Sequence, residues 1–388
     1  MFNFDFYNPT YIVFGKDRLD ELDVLVPKEA KVLITYGGGS AVRSGLIDRI
    51  VKALGNRKVE QFGGIEPNPS LETCERAVAF IKEHGVDFVL AVGGGSVVDA
   101  TKLIVMGATY DGPVIEVMKA GIPAVPVEMV PNPLPFGTVM TLPATGSEMN
   151  NGAVITYGDG KFPVFSNLIF PKFSMLDPTL TFTLPEKQVK NGVIDTFVHT
   201  TEQYLTYPVE GRIQDRFSEG ILKTMIEIGK ETVENPENYD IRANHVWASA
   251  LALNGLIGAG VPQDWATHLI GHELTATYHL DHGITLAIVL PALLEVKKAD
   301  KLEKLAQYAT RVWHITEGTN QEKADKAIAK TREFFESLGV STHLKDYGLG
   351  EEAVDKIVKQ LEAHGMTHLG EKGDVTPEVA REILTRAL

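Results

Sequence analysis

Two short apolar runs in the first half of the sequence each end in a cluster of glycines and lead into a helical pattern. The first run, Lys31–Tyr36, precedes G-G-G-S at residues 37–40, and the second, residues 88–92, precedes G-G-G-S at residues 93–96. Apolar strands that alternate with helices in this way form a parallel sheet with helices on both faces. The pattern therefore restricts the N-terminal part to an α/β fold, and a further strand is predicted at Tyr11–Phe14.

The pattern changes near residue 185, after which strand signals give way to a succession of helical periodicities. These are predicted at residues 186–205, 213–232, 242–257, 264–277, 284–296, 299–313, 321–337, 351–362 and 377–387. A chain of 388 residues is long for a single core. We therefore predict two domains, an α/β domain of residues 1–185 and an all-α domain of residues 186–388.

Composition excludes several classes of protein. The formal net charge of -14 argues against nonspecific binding to nucleic acid or to an anionic membrane. Cys74 is the only cysteine, so neither an intrachain disulfide nor a cysteine metal cage can form, which is typical of a cytoplasmic protein. No signal peptide is recognised at the N-terminus. The apolar run at residues 246–261 is shorter than the roughly 20 residues of a membrane span, and we interpret it as a buried core helix.

The helical half carries a spacing typical of metal ligands. Asp195 and His199 are four residues apart, as are His268 and His272, and His282 follows after a short polar turn. Residues four apart on a helix leave the same face. One carboxylate among several imidazoles suits Zn²⁺ or Fe²⁺ better than Mg²⁺ or Ca²⁺. A single histidine on a helix is more often an ordinary core or surface residue, so the spacing alone leaves both interpretations open.

The second glycine cluster can hold phosphate. It follows a buried strand and opens a helix, where free backbone N–H groups and the helix dipole favour an anion such as a pyrophosphate. It lacks the G-x-G-x-x-G spacing, so a plain tight turn is the competing interpretation. The hydroxyl-rich stretch at residues 141–148 could bind phosphate oxygens, or could serve only to connect two strands.

The first glycine cluster bears on the choice of dinucleotide. An acidic residue after the strand would bind the ribose 2′-hydroxyl and repel a 2′-phosphate. No acid follows this strand, whereas Ser40 and Arg43 are available. If this turn meets the adenosine ribose, NADP(H) is therefore favoured over NAD(H).

Taken together, these motifs resemble one family over nearly the whole chain. G-G-G-S-x-x-D-x-x-K at residues 93–102, T-G-S-E at 145–148, D-x-x-x-H and H-x-x-x-H with a third histidine are similar to the iron-containing, group III alcohol dehydrogenases. Y-G-G-G-S, F-G-G-I-E-P-N-P, L-N-G-L-I-G-A-G-V-P-Q-D-W-A-T-H and H-G-M-T-H-L-G are most similar to its NADPH-dependent aldehyde reductase and butanol dehydrogenase branch. The implied fold is dehydroquinate synthase-like: a Rossmann-like parallel-sheet domain, an all-α domain, and a site in the cleft between them.

The resemblance also implies roles for individual residues. The metal ligands would be Asp195, His199, His268 and His282, with His272 beside the reacting centre as the catalytic residue. The cofactor-binding residues would be Gly38, Gly39, Ser40, Gly94, Gly95, Ser96, Asp99, Thr141, Thr145, Ser147 and Lys161. His279 matches no motif position, and we interpret it as a surface residue.

The implied activity is transfer of hydride between NADPH and the carbonyl of small aldehydes, with oxidation of primary alcohols as the reverse reaction. One divalent metal is implied, and Asp and His ligands do not separate Fe²⁺ from Zn²⁺. Relatives form homodimers, and the alternation of Phe2, Phe4 and Phe6 would suit an edge strand. The competing functions are a metal-dependent lyase of the dehydroquinate synthase type and a scaffold without turnover.

Overall fold

The computed structural model describes residues 1–118, 130 and 132–388. These residues divide into two compact units, one of residues 8–184 and one of residues 1–7 together with 185–388. The first contains a parallel sheet and the second is helical, so the predicted fold class is confirmed. The assignment of dinucleotide binding to one domain and of metal binding to the other stays a prediction.

The first unit is built on a sheet of parallel strands. The strands are β1 (Tyr11–Phe14), β2 (Lys31–Tyr36), β3 (Lys58–Phe62), β4 (Phe88–Gly93), β5 (Phe136–Met140), β6 (Gly152–Tyr157), β7 (Gly160–Phe165) and β8 (Phe173–Leu176). Six of them form one sheet in the order β1-β8-β5-β4-β2-β3, with every described pairing parallel. The remaining two, β6 and β7, form an antiparallel hairpin.

Helices cover both faces of this sheet. They are α1 (Leu22–Leu25), α2 (Ser40–Arg43), α3 (Leu46–Ala53), α4 (Leu71–His84), α5 (Gly95–Thr109) and α6 (Val114–Met118). Successive side chains of a strand point to opposite faces. In β2, Leu33 belongs to the core formed with α4 and α5, whereas Val32 and Ile34 belong to the core formed with α3. The uninterrupted apolar character of this strand is therefore explained by burial on both sides.

The strand order places the two glycine clusters at one point of the sheet. From β2 the chain moves to β3 on one side, and it returns to β4 on the other side of β2. In an open parallel sheet, ligands bind outside the carboxyl ends of the strands where the order reverses in this way. Gly37 follows the end of β2, and Gly94 follows the end of β4. Both clusters therefore flank the position where a dinucleotide would be expected.

The second unit consists of helices packed around α11. They are α7 (Glu186–Tyr204), α8 (Arg212–Glu234), α9 (Tyr239–Ala252), α10 (Ala266–Tyr278), α11 (His282–Val296), α12 (Leu302–Arg311), α13 (Asn320–Ser337), α14 (Glu351–Ala363) and α15 (Pro377–Arg386). Within α11, each residue from 285 to 294 is buried, and the helix contacts α7, α10, α13 and α15. A helix that is apolar on all sides is expected at the centre of a bundle.

Two predicted features are wrong. The apolar run at residues 246–261 is not one helix: α9 ends at Ala252, and turns follow in which Gly255 and Gly260 adopt φ values of +91° and +69°. The glycines end the helix although the hydrophobicity continues.

Residues 1–7 are all described and form no strand. Phe2, Phe4 and Phe6 are about half exposed, and the Phe2 N–H donates to the Gly260 carbonyl at 2.9 Å. Among the described residues, no helix is both long and apolar enough to span a membrane.

Candidate active site

Imidazoles from three helices gather around one carboxylate oxygen of the helical unit. Asp195 and His199 lie one turn apart on α7, His268 lies on α10, and His282 is the first residue of α11. Asp195 Oδ1 is 3.5 Å from His199 Nδ1, 3.5 Å from His268 Nε2 and 3.6 Å from His282 Nε2. These separations exceed the usual hydrogen-bond range of about 2.7–3.2 Å. The atoms are therefore grouped without bonding one another directly.

Close approach of α11 to α7 brings His282 into this group. A Cβ at Gly283 would lie 2.7 Å from Asn191 Cα, a distance that only glycine allows. The start of α11 is fixed further by Asp281, which accepts a hydrogen bond from Asn191 Nδ2 at 3.0 Å and pairs with Lys187 Nζ at 2.7 Å. The glycine and the acid on either side of His282 thus determine where its ring lies.

The centre of the group is buried and polar. Asp195 is 2% exposed, and within the described chain neither its Oδ1 nor His268 Nε2 has a hydrogen-bond partner. A buried carboxylate oxygen and a buried imidazole nitrogen are costly unless a partner satisfies both. A divalent cation between them would do so, and we conclude that these residues fit a metal ion.

The spacing of the donor atoms is that expected of ligands to one metal ion. One ligand atom each from Asp195, His268 and His282 lies within 4.8 Å of the others. His199 stands beside this group and its nitrogen is not part of it, although its ring stacks on that of His268 with the centroids 4.5 Å apart. Zinc–nitrogen bonds of about 2.1 Å in a tetrahedron separate neighbouring ligand atoms by about 3.4 Å. The separations around Asp195 Oδ1 are close to that value.

Charge in the group shifts two pKa values in opposite directions. Burial would raise the pKa of Asp195, but His199, His268 and His282 outweigh it and hold that pKa below its usual range. Burial would lower the pKa of His268, but Glu202 and Asp195 together raise it to about 9. The site therefore attracts positive charge strongly.

Two further histidines named from the sequence lie on α10 and at its C-terminal end. His272 is one turn beyond His268 on α10, is 7% exposed, and has its ring centroid 5.1 Å from that of His282. It is thus next to the donor group and outside it. His279 ends α10 in the left-handed conformation with φ +55° and is exposed, as predicted.

Sequence reasoning missed Glu202. This residue lies on α7, and its side chain is 1% exposed. Its Oε2 pairs with His268 Nδ1, and its Oε1 accepts a hydrogen bond from the Thr267 backbone N–H at 2.6 Å. It follows Asp195 by seven residues, or two helical turns, so the spacing on one face could have revealed it.

In the first unit, the glycine cluster after β2 is open. Gly39 precedes α2 with φ +92°, and a Cβ at Gly38 would meet nothing within 4 Å. Ser40 begins α2, and Arg43 Nη1 donates to the Gly38 carbonyl at 3.3 Å. The turn therefore leaves room beside a hydroxyl and a guanidinium.

The cluster after β4 is held closely by the loop at residues 141–148. A Cβ at Gly95 would lie 2.3 Å from Thr145 Oγ1, and one at Gly94 would lie 3.0 Å from Leu142 Cβ. The Thr141 N–H donates to the Gly93 carbonyl at 2.9 Å. The glycines are thus required by the fold of this turn, and the first turn of α5 still supplies N–H groups that suit a pyrophosphate.

The predicted cofactor residue Asp99 is engaged within the protein. Its Oδ1 accepts from Ser147 Oγ at 2.6 Å, and its Oδ2 accepts from the Val154 N–H at 2.9 Å. Lys102 Nζ donates to Ser147 Oγ at 2.9 Å and to Asn150 Oδ1 at 2.8 Å. These bonds fix the loop to α5, a structural role that the motif alone does not reveal.

Two other predicted residues meet at Asn68, which sequence reasoning also missed. Lys161 Nζ donates to Asn68 Oδ1 at 2.8 Å, and Ser96 Oγ accepts from the Asn68 N–H at 3.4 Å. Asn68 has φ +56°, a conformation that asparagine tolerates better than most residues. Asn68 thus connects the hairpin of β6 and β7 to the start of α5.

Comparison with known proteins gives consistent results for both halves of the chain. The family profile described as iron-containing alcohol dehydrogenase matches residues 9–178, and the one described as Fe-containing alcohol dehydrogenase family, C-terminal, matches residues 189–383. The chain is 54% identical over 392 residues to the NADPH-dependent aldehyde reductase YqhD of Escherichia coli (strain K12), with all of both chains covered. It is 40% identical to the probable NADH-dependent butanol dehydrogenase 1 of Bacillus subtilis (strain 168), over 94% of this chain and 95% of the relative.

Solved structures show the same relationship. The crystal structure of YqhD from E. coli K-12 superposes with a TM-score of 0.97 at 52% identity, covering 100% of this chain and 99% of the other. The NADH-dependent butanol dehydrogenase A of Thermotoga maritima superposes with a TM-score of 0.93 at 34% identity, again covering 100% and 99%.

Proposed function

Because the chain belongs to the iron-containing alcohol dehydrogenase family, we propose that it is a metal-dependent aldehyde reductase that uses NADPH and oxidises primary alcohols in reverse. The observation that carries this proposal is the buried group in which three imidazole nitrogens lie 3.5–3.6 Å from Asp195 Oδ1. Residues 1–185 would bind the dinucleotide and residues 186–388 the metal.

Asp195, His199, His268 and His282 would hold one divalent cation, Fe²⁺ or Zn²⁺. When bound there, the cation supplies a Lewis acid for the oxygen of an aldehyde. Asp195 contributes the negative charge that favours a cation over a proton, and the imidazoles contribute neutral nitrogen donors. Asp195, His199 and His268 are buried, and the low exposure to water strengthens the electrostatic attraction within the site.

His272 would hold or move the proton that the reduction of a carbonyl requires. An imidazole titrates near neutral pH, so it can both give and accept a proton under cellular conditions. Its ring is 5.1 Å from that of His282, which places it near the proposed ligands. The resemblance to the family assigns metal binding to His199, His268 and His282, so this role of His272 would be separate from metal binding.

The cofactor would be NADP(H) in preference to NAD(H). Gly94, Gly95 and Ser96 would receive the pyrophosphate at the start of α5, and Ser40 would face the ribose 2′-phosphate together with Arg43. Support comes from the position of both glycine clusters at the reversal of strand order and from the absence of an acid after β2. The relative that is 54% identical is named NADPH-dependent. Bound NADPH supplies the hydride.

The substrates would be small aldehydes and the corresponding primary alcohols. One of the relatives is named an aldehyde reductase, and another is named a probable butanol dehydrogenase. We also propose that the chain acts as a homodimer in the cytoplasm. The half-exposed phenylalanine side chains at positions 2, 4 and 6 support a contact between subunits, and the single cysteine suits a reducing compartment.

The test measures metal and activity together. Metal-depleted protein is assayed with small aldehydes and either NADPH or NADH after Fe²⁺, Zn²⁺ or Mn²⁺ has been restored, and bound metal is quantified in the same samples. Asp195→Asn and His268→Ala should lose metal and turnover together, whereas the exposed control His279→Asn should keep both. Turnover by a metal-free His268→Ala protein would refute the proposed function.

A further inference from the structure

We propose that Glu202 is a positioning residue that fixes the ring of His268 and so sets the affinity of the site for a divalent cation. This inference rests on the proposed function, because it concerns the same metal site. Glu202 is not one of the four proposed ligands; it acts through His268.

The geometry gives the Glu202 carboxylate two tasks at the start of α10. Its Oε2 pairs with His268 Nδ1, while its Oε1 accepts the Thr267 backbone N–H at 2.6 Å. The Glu202 carbonyl also accepts the Asp264 N–H at 2.9 Å. Glu202 of α7 therefore bonds to Asp264, just before α10, and to Thr267 and His268 in its first turn, so the orientation of His268 is tied to α7.

The carboxylate determines which ring nitrogen carries the proton. A neutral imidazole has one N–H and one lone pair, and the partner of the N–H decides between the two forms. A carboxylate only accepts, so it keeps the proton on Nδ1. When His268 is neutral, as binding of a cation requires, the lone pair is then on Nε2, the atom that lies 3.5 Å from Asp195 Oδ1. Carboxylates that bond to a ligating histidine in this way also increase its strength as a donor.

The surrounding charges leave Glu202 available for this role. The neighbouring acid Asp264 is balanced by Lys301, whose Nζ is 2.9 Å from Asp264 Oδ2 and 2.7 Å from Glu371 Oε1. Over the described parts of the chain, no lysine or arginine lies within 4.0 Å of the Glu202 carboxylate, which pairs with His268. Glu202 is therefore held by His268 and by the Thr267 N–H rather than by a lysine or arginine.

The direct test is Glu202→Gln. The glutamine oxygen can still accept from Thr267, but its NH₂ group then faces His268 Nδ1 and favours the tautomer with the proton on Nε2. We expect the affinity for Zn²⁺ to fall by about 10- to 100-fold, measured by competition with a chromophoric chelator on metal-free protein. The visible absorption of bound Co²⁺ should weaken or shift as the ligand geometry changes.

The matched control is Glu273→Gln, which alters a second Glu–His pair, formed by buried Glu273 of α10 and His364 at the end of α14. Glu273 Oε1 is 2.9 Å from His364 Nδ1, and neither residue belongs to the donor group. The Glu273→Gln protein should bind Zn²⁺ with the same affinity as the unaltered protein. Urea unfolding of the metal-free proteins separates loss of stability from loss of affinity.

The outcomes distinguish this inference from the proposed function. If Glu202→Gln binds Zn²⁺ as tightly as the unaltered protein, the role of Glu202 is refuted and the metal site stands. If the unaltered protein binds no divalent cation that depends on Asp195, the proposed function itself fails. If Glu202→Gln does not fold, Glu202→Asp is tested instead, because aspartate keeps the charge but has a shorter side chain. A Zn²⁺ affinity of Glu202→Asp equal to that of the unaltered protein would also refute the inference.

Discussion

Replacing Gly95 by alanine tests whether the second glycine cluster is shaped by its contact with Thr145. A Cβ at Gly95 would lie 2.3 Å from Thr145 Oγ1, 2.5 Å from its Cγ2 and 2.9 Å from its Cβ. Carbon atoms in good contact are about 3.5–4.0 Å apart, so the loop would have to move by about 1 Å. That movement is opposed because Thr145 Oγ1 accepts the Ser147 N–H at 3.2 Å and Ser147 is itself bonded to Asp99.

Overpacking of this kind costs about 1–3 kcal/mol. If the whole cost falls on the conformation that binds the dinucleotide, the Kd for NADPH rises by about 5- to 140-fold, since 1.4 kcal/mol is a factor of ten. The measurement is a fluorescence titration with NADPH, accompanied by the urea midpoint of the free protein. Gly220→Ala is the control: its Cβ meets nothing within 4 Å in the middle of α8, so NADPH affinity should not change.

Thr145→Gly removes all three atoms that the new Cβ would meet. In that background Gly95→Ala should cost much less than it does alone, and the difference gives the coupling between the two positions. A Gly95→Ala protein with unaltered NADPH affinity and urea midpoint would refute the steric argument, as would an equal penalty in both backgrounds.

Three further predictions concern the cofactor choice, the proton and the pH dependence. Compared with the uncharged variant Gly38→Asn, Gly38→Asp should weaken the binding of NADPH more than that of NADH. Position 38 is used because the φ of +92° at Gly39 would strain any side chain there. An equal ratio of the Kd values for NADPH and NADH in the two variants would remove this turn from the ribose site. His272→Asn should retain bound metal and lower kcat by about 10²- to 10⁴-fold, as measured by metal analysis and steady-state kinetics; unaltered kcat would exclude a proton role. Burial raises the pKa of Glu148 from 4.5 to about 7, so the folded state favours the neutral acid. The contribution of Glu148 to the free energy of unfolding is therefore complete below pH 4.5 and is lost as the pH rises to about 7. Glu148→Gln should remove this loss, so urea unfolding at pH 5 and pH 8 should show the variant gaining up to about 3 kcal/mol relative to the unaltered protein at the higher pH. The raised pKa of Glu148 would be contradicted if the two proteins differed in free energy of unfolding by the same amount at pH 5 and at pH 8.

Elements with a strong periodic pattern were predicted well, and those that depend on distant contacts were not. The strands at Tyr11–Phe14 and Lys31–Tyr36 and the helix starting at Glu186 are found as predicted. In contrast, β3 carries charged and partly exposed residues because it lies at the edge of the sheet. Strand β5 contains Gly137, where a Cβ would lie 2.3 Å from the Phe173 ring of β8. That glycine is explained only by the neighbouring strand.

The site was predictable to a similar extent. The i,i+4 spacing indicated Asp195 with His199 and His268 with His272, but of these four only Asp195 and His268 belong to the donor group that includes His282. Spacing on one helix does not determine which turn faces another helix. The seven-residue spacing from Asp195 could have placed Glu202 on the same face of α7, but its contact with His268 depends on where α10 packs. The identification of the four proposed ligands came from the resemblance to a family.

The glycine clusters and the imidazole group lie in different compact units of the chain. A substitution at Gly38 changes a residue of one unit, and a substitution at Glu202 changes a residue of the other. The residues proposed to select the nicotinamide cofactor and those proposed to hold the cation can thus be substituted one set at a time. Among the relatives, one is named for NADPH and another for NADH.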